Sequence, residues 1–214
     1  MKIKICGLTR PQEAQYLNEF QVDYAGFVFF EKSKRNVSME QAKEIARCLS
    51  PEIKKVAVTV SPDVQMVRQI QEGGFDILQV HRELTEAVLE SAEIPVWYAF
   101  NIADEQEFLQ KQAFLETLPE ALSDKIEAIV VDGAEYGSGR PFDWQKSRHL
   151  KKIGARKFVL AGGLDAANVA EGIAFYQPDI VDVSSGVEGS FGKEEKRIGQ
   201  FVQAARTAEK AAID

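Results

Sequence analysis

Apolar positions fall into eight short runs that begin near Lys2, Tyr24, Lys54, Asp76, Pro95, Glu127, Arg156 and Asp179. The runs are rich in β-branched residues and recur every roughly 20 to 30 residues, the interval that a strand plus a return helix requires. Their apolar character is nearly continuous, which predicts strands buried on both faces. Helical patterns lie between them. Thr9, Pro11 and Gln12 open the first. Ser38-Met39-Glu40-Gln41 reads as a capping box ahead of Ala42, Ile45, Ala46 and Leu49 at helical spacing. Ser61-Pro62 predicts the start of a third helix, with proline at its first position. Ile198, Phe201, Val202 and Ala205 share one face of the last. Between residues 102 and 125 the periodicity is irregular, so the fifth helix is expected to be poorly formed.

Eight β/α units can make an open doubly wound sheet or a closed barrel. An open dinucleotide-binding sheet calls for Gly-x-Gly-x-x-Gly after the first strand. Here that strand ends Ile5-Cys6-Gly7-Leu8, with one glycine. The Gly- and Ser-rich loops come last instead. One follows Lys157-Phe158-Val159-Leu160-Ala161 as Gly162-Gly163-Leu164, and the other follows Ile180-Val181-Asp182-Val183 as Ser184-Ser185-Gly186. Loops after the final two strands of a (β/α)8 barrel often hold phosphate, because glycine lets backbone N–H groups approach an anion. The expected fold is therefore α/β, a single (β/α)8 TIM-barrel domain over residues 1–214 with a phosphate cradle at Gly162, Gly163, Ser184, Ser185 and Gly186.

The chain has 214 residues and a net charge of −7. That length supports a substantial core. The acidic balance argues against nucleic acid as a partner, since no basic surplus exists to neutralise a phosphate backbone. No apolar run approaches membrane-spanning length, and the N-terminus leads directly into a strand pattern, so a cytoplasmic protein without a leader is expected. Cys6 and Cys48 make neither a disulfide framework nor a zinc pattern. His81 and His149 lie far apart in sequence, so no metal is expected, and no cofactor fingerprint is visible.

Barrel active sites gather at the C-terminal ends of strands. Cys6 ends the first run, where it is either a small buried residue or, as a thiolate, a base or nucleophile. Arg35, after the second run, can clamp a carboxylate bidentately. Gln79 and His81 share side-chain parity on the fourth and can both face the interior. Asp132 ends the sixth run and Asp182 lies in the eighth; each is either a loop-anchoring carboxylate or part of an acid–base set. A thiol, two carboxylates, an arginine and a phosphate cradle, without a cofactor, describe an isomerase of a phosphosugar.

These strand ends resemble one family along essentially the whole chain. The carriers are Lys4-Ile5-Cys6-Gly7-Leu8-Thr9, Gly26-Phe27-Val28-Phe29 with Lys32-Ser33-Lys34-Arg35, and Leu78-Gln79-Val80-His81. They continue with Asp132, Gly137-Ser138-Gly139 before Phe142-Asp143-Trp144, Leu160-Ala161-Gly162-Gly163-Leu164, and Asp182-Val183-Ser184-Ser185-Gly186-Val187-Glu188. The family is phosphoribosylanthranilate isomerase of tryptophan biosynthesis. The resemblance implies an Amadori rearrangement of an aminoaldose phosphate to an aminoketose phosphate, with no cofactor. It implies Asp132 as the general acid at the ribose ring oxygen and Cys6 as the base at C2. It implies Arg35 on the anthranilate carboxylate, with Gln79, His81 and Asp182 lining the pocket. For those roles Asp132 would have to hold its proton near neutral pH and Cys6 would have to release its own. A small-molecule phosphosugar is the expected partner, with neither nucleic acid nor membrane, and the chain is expected to be a monomer or homodimer. The sequence departs from the family pattern at Glu31, Asn36, Arg82 and Phe191 and at Thr59-Val60-Ser61. A non-catalytic phosphate-binding barrel and an isomerase of a different aminosugar phosphate stand as alternatives.

Overall fold

The structure is a computed structural model that describes residues 1–101, 105–132 and 156–213. Its eight main strands are β1 (Lys2–Cys6), β2 (Tyr24–Phe29), β3 (Lys54–Val60), β4 (Ile77–His81), β5 (Val96–Asn101), β6 (Ile126–Asp132), β7 (Lys157–Ala161) and β8 (Ile180–Val183). They run parallel in sequence order and close into a barrel through the β1–β8 pairing, which sets Lys2 beside Ile180 and Lys4 beside Asp182. The helices are α1 (Pro11–Glu19), α2 (Met39–Ala46), α3 (Val64–Glu72), α4 (Glu86–Ser91), α5 (Glu105–Thr117), α6 (Glu120–Ser123), α7 (Val169–Tyr176) and α8 (Glu195–Ile213). A 3-10 turn at Ser185–Val187 leads into a two-residue hairpin, β9 (Glu188–Gly189) and β10 (Gly192–Lys193).

Alternation along the strands produces two cores. Tyr24, Val56, Val58, Ile77, Trp97, Ala128, Val130, Val159 and Ile180 fill the lumen. Ile3, Ile5, Phe27, Leu78, Val80, Phe100, Val131, Val181 and Val183 face outward under the helices. Both strand faces are thus dry, as the continuous apolar runs predict. Tyr24 and Trp97 meet edge to face across the lumen at 5.0 Å between ring centroids.

Two helix expectations need correction. The third helix starts at Val64, not at Ser61-Pro62: Asp63 is its N-cap and accepts the Met66 N–H at 2.7 Å. Ser61 instead takes the left-handed region (φ 47°), donates its N–H to the His81 carbonyl and accepts the Glu83 N–H. It ties the β3 end to the β4 end. The fifth helix is also well formed, with 13 residues. Its buried face reads Phe108, Lys111 and Leu115, a helical spacing with lysine in an apolar slot. Lys111 donates to the Ala99 carbonyl at 2.6 Å, pairs with Glu107 and lies 4.9 Å from the Tyr98 ring centroid. Leu109, by contrast, points outward. One buried cation and one exposed leucine were enough to blur the periodicity.

Candidate active site

Strand parity sets the site. Lys4 and Cys6 follow one another on the lumen face of β1, and Gln79 and His81 follow Ile77 on that of β4. Asp132 continues the Ala128, Val130 series on β6, and Asp182 continues from Ile180 on β8. The lower lumen is hydrocarbon and aromatic; the upper lumen is polar. Gln79 and Asp182 are buried, while Cys6, His81 and Asp132 are partly exposed at the mouth.

Space for the Cys6 side chain comes from its β2 neighbour, Gly26. A Cβ there would stand 2.9 Å from the Cys6 sulfur. Gly7 plays the same part for Arg35: its backbone is left-handed (φ 81°), and a Cβ on it would overlap the Arg35 side chain. The Arg35 stem thus lies across the residue that follows Cys6.

Charged groups surround the thiol. Lys4 is fully buried, with Nζ 2.6 Å from Asp182 Oδ2. Lys193, on β10, is also buried and donates to Glu188 Oε1 at 2.8 Å, to the Ser184 carbonyl at 3.0 Å and to Ser184 Oγ at 3.1 Å. Ser184 Oγ in turn donates to the Cys6 carbonyl at 2.9 Å. Glu188 receives Arg35 through two N–H groups, at 2.5 and 2.9 Å, and Lys34 at 3.2 Å. Glu13 anchors the arrangement from below, accepting the Lys193 N–H at 2.9 Å and the Thr9 N–H at 2.7 Å.

Burial pushes the Cys6 thiol up, and Asp182 adds to this; Lys4 and Lys193 pull the other way. Burial likewise raises Asp182 against the opposing pull of Lys4. Burial, then Lys4 and Lys111, push His81 down to about 3, so its ring is neutral at physiological pH. The Gln79 amide nitrogen lies 2.9 Å from His81 Nε2, which fixes that nitrogen as an acceptor. At the mouth, the buried acceptors Gln79 Oε1 and Asp182 Oδ1 have no hydrogen-bond partner among the described residues. Unpaired buried acceptors are costly and suit a ligand that brings donors.

The glycine-rich loops also meet. Gly162 and Gly163 both adopt left-handed conformations, with φ 87° and 65°. Gly186 packs so closely on the other loop that a Cβ would overlap the Leu164 carbonyl. Ser184, expected in the cradle, uses its hydroxyl to join the Cys6 carbonyl and Lys193. Arg82, where the family pattern has glycine, sits at φ 61°, the conformation that explains glycine there. Gly137-Ser138-Gly139, Phe142-Asp143-Trp144 and His149 lie outside the described residues.

The structure brings the thiol, Asp182, Gln79, His81 and the two glycine loops to one barrel mouth. Arg35 also reaches the mouth, but its fork holds Glu188. Lys4 and Lys193 went unread in the sequence, and so did the task of Glu188. The parity shared by Lys4 and Cys6 was the available signal for Lys4.

A family model described as N-(5'phosphoribosyl)anthranilate (PRA) isomerase matches residues 3–204. The chain belongs to this family. An N-(5'-phosphoribosyl)anthranilate isomerase from Clostridium kluyveri is 35% identical over 209 residues, covering 96% of this chain and 98% of that protein. Among solved structures, phosphoribosyl anthranilate isomerase from Thermotoga maritima superposes with a TM-score of 0.82 at 29% identity, over 97% of this chain and 99% of that one. A phosphoribosyl anthranilate isomerase in complex with reduced 1-(o-carboxyphenylamino)-1-deoxyribulose 5-phosphate gives 0.80 at 30% identity, covering 97% and 99%. Family membership accounts for a barrel whose polar residues are concentrated at one end. Among the described residues no group of three or more His, Cys, Asp and Glu could hold a metal ion, and no helix is long and apolar enough to cross a membrane.

Proposed function

We propose that this chain, working as one barrel domain over residues 1–214, isomerises phosphoribosylanthranilate with Asp132 as acid and Cys6 as base. Asp132 gives its proton to the ribose ring oxygen as the C1–O bond breaks. The anilino nitrogen lone pair forms the C=N bond of the open-chain Schiff base. The Cys6 thiolate then takes the proton from C2, and the electron pair moves to make an enolamine. Ketonisation returns a proton to C1, so substrate and product have the same atoms.

The observation that carries this reading is the shared lumen-facing placement of a thiol at the end of β1 and a carboxyl at the end of β6. β7 and β8 separate them around the barrel, leaving the mouth between them for a sugar. Gly162, Gly163, Ser184, Ser185 and Gly186 form the 5-phosphate cradle, with Ser184 contributing through its backbone. Asp182 Oδ1 and Gln79 Oε1 accept from sugar hydroxyls or the anilino N–H, with His81 beside them. Arg35 pairs with the anthranilate carboxylate; sharing the fork with Glu188 leaves its remaining N–H groups for that purpose. The protein acts in the cytoplasm, on a small-molecule substrate and without a cofactor. It is a monomer or homodimer, in keeping with a Thermotoga maritima relative described as dimeric from which monomers were generated.

The test is a fluorescence assay with substrate generated in place from anthranilate and phosphoribosyl pyrophosphate. Wild type is expected to consume it rapidly, and Asp132→Asn to lose about 100-fold or more in kcat while still binding phosphate. An Asp132→Asn enzyme with wild-type turnover removes Asp132 as the acid. A folded, phosphate-binding wild type with no turnover points to a binding barrel or to a different aminosugar phosphate.

A further inference from the structure

Lys4 is a buried ammonium in the lumen that the acid–base pair leaves without a task. It lies two residues before Cys6 on the same lumen face of β1, with Nζ 2.6 Å from Asp182 Oδ2. Stability is a poor account of it. Desolvating two ions costs several kcal/mol, and an apolar side chain of similar size in the same slot is often at least as stable.

The charge count around the sulfur is more informative. Three cations gather around Cys6: Lys4 on the same face of β1, Lys193 through Ser184, whose hydroxyl donates to the Cys6 carbonyl, and Arg35, whose stem packs on Gly7. Asp182 and Glu188 are the carboxylates bound to them. With exposed Lys34 also on Glu188, four cations meet two carboxylates, so the cluster carries a positive surplus that a Cys6 thiolate would offset. The cations are not equivalent. Lys193 and Arg35 both hold Glu188, and Lys193 also donates twice to Ser184. Lys4 holds a single carboxylate and is the next lumen-facing side chain below Cys6 on β1.

We propose that Lys4 is a positioning residue for the isomerisation, an ammonium braced by Asp182 that serves as counter-charge to the Cys6 thiolate. The proposal rests on the reading of Cys6 as base. Burial opposes ionisation of Cys6, and Lys4 is the first charge to act against that burial. Losing Lys4 removes that opposing pull, so the thiol is held further up and less thiolate is on hand to take the C2 proton. Asp182 has a double part. It keeps Lys4 charged and in place, and its own charge repels the thiolate.

The test reads the thiolate without turnover. In a Cys48→Ser background, which removes the exposed second thiol, alkylation of Cys6 by iodoacetamide is followed by mass spectrometry across pH. Lys4→Met is expected to raise the alkylation midpoint by at least about 1 pH unit, and to lower kcat at neutral pH with partial recovery in alkaline buffer. Asp182→Asn is expected to move the midpoint down. Opposite shifts are the signature, because disturbed packing would move both variants the same way. An unshifted midpoint in folded Lys4→Met overturns the proposal, and so do two variants that shift together. If Lys4→Met does not fold, an upward or absent shift in Asp182→Asn overturns it alone. Cys6→Ala distinguishes the underlying reading: full turnover in that variant removes Cys6 as base, whatever the alkylation curves show.

Discussion

Arg35 and Glu188 meet as a forked pair, with Nε 2.5 Å from Oε1 and Nη2 2.9 Å from Oε2, across 153 residues of chain. Burial works upward on the Glu188 carboxyl, yet hydrogen bonding from Arg35 and the charge of Lys193 push it down to about 2. The folded value lies below the unfolded one. Its contribution to stability is therefore complete above about 4.5 and is lost as pH falls from there through about 2. Glu188→Gln should be less stable than wild type at pH 7 and lose less stability between about pH 5 and about pH 3. Urea midpoints at those pH values check this, and parallel pH curves for the two proteins would contradict it.

Gly26 should be as sensitive as a reacting group while touching none of the chemistry. A methyl group there would stand 2.9 Å from the Cys6 sulfur and 3.0 Å from the Cys6 Cα. Gly26→Ala must displace the thiol, and a misplacement of about 1 Å can cost about 100-fold in rate. The expected outcome is a large fall in kcat with a much smaller change in KM. Steady-state kinetics decide it, and a KM effect alone would place the strain elsewhere.

Gly186→Ala tests the cradle. Its methyl would overlap the Leu164 carbonyl, so the two glycine loops must separate. A cost of about 1–3 kcal/mol in stability is expected, together with weaker binding of inorganic phosphate. Calorimetric titration with phosphate measures the second effect, and unchanged phosphate affinity would move the anion site away from this contact.

His81 should stay neutral wherever the enzyme works. Burial first, then Lys4 and Lys111, bring it down to about 3, and Gln79 faces its Nε2. Its folded value lies below the ordinary 6.5, so the stability that it contributes is present above 6.5 and is lost as pH falls toward about 3. The imidazole resonance of His81, distinguished from that of His149 by a His149→Gln variant, should be flat from about pH 8 to about pH 5. A midpoint near 6.5 would show that water reaches the ring freely.

The helix over Glu105–Thr117 marks a limit of periodicity as a guide. Its buried face includes Lys111, whose ammonium is accommodated by the Ala99 carbonyl, Glu107 and the Tyr98 ring. None of those partners is visible in a hydropathy pattern, which counts lysine as polar wherever it lies. Ser61 and Pro62 misled in another way. They carry a helix-start signal, but the left-handed backbone of Ser61 serves the β3–β4 turn and leaves Asp63 to cap the helix.

The eight strands, the barrel, the shared interior face of Gln79 and His81 and the gathering of Cys6, Asp132 and Asp182 at strand ends were legible in the sequence alone. Strands buried on both faces leave continuous apolar runs, and a period of two assigns each side chain a face. The charge arrangement was decided only by tertiary structure. Lys4 meets Asp182 across 178 residues because closing the barrel pairs β1 with β8, and Arg35 meets Glu188 because the final hairpin folds back over the same mouth. Such pairings depend on which chain ends closure brings together, and local pattern carries no information about partners that far apart.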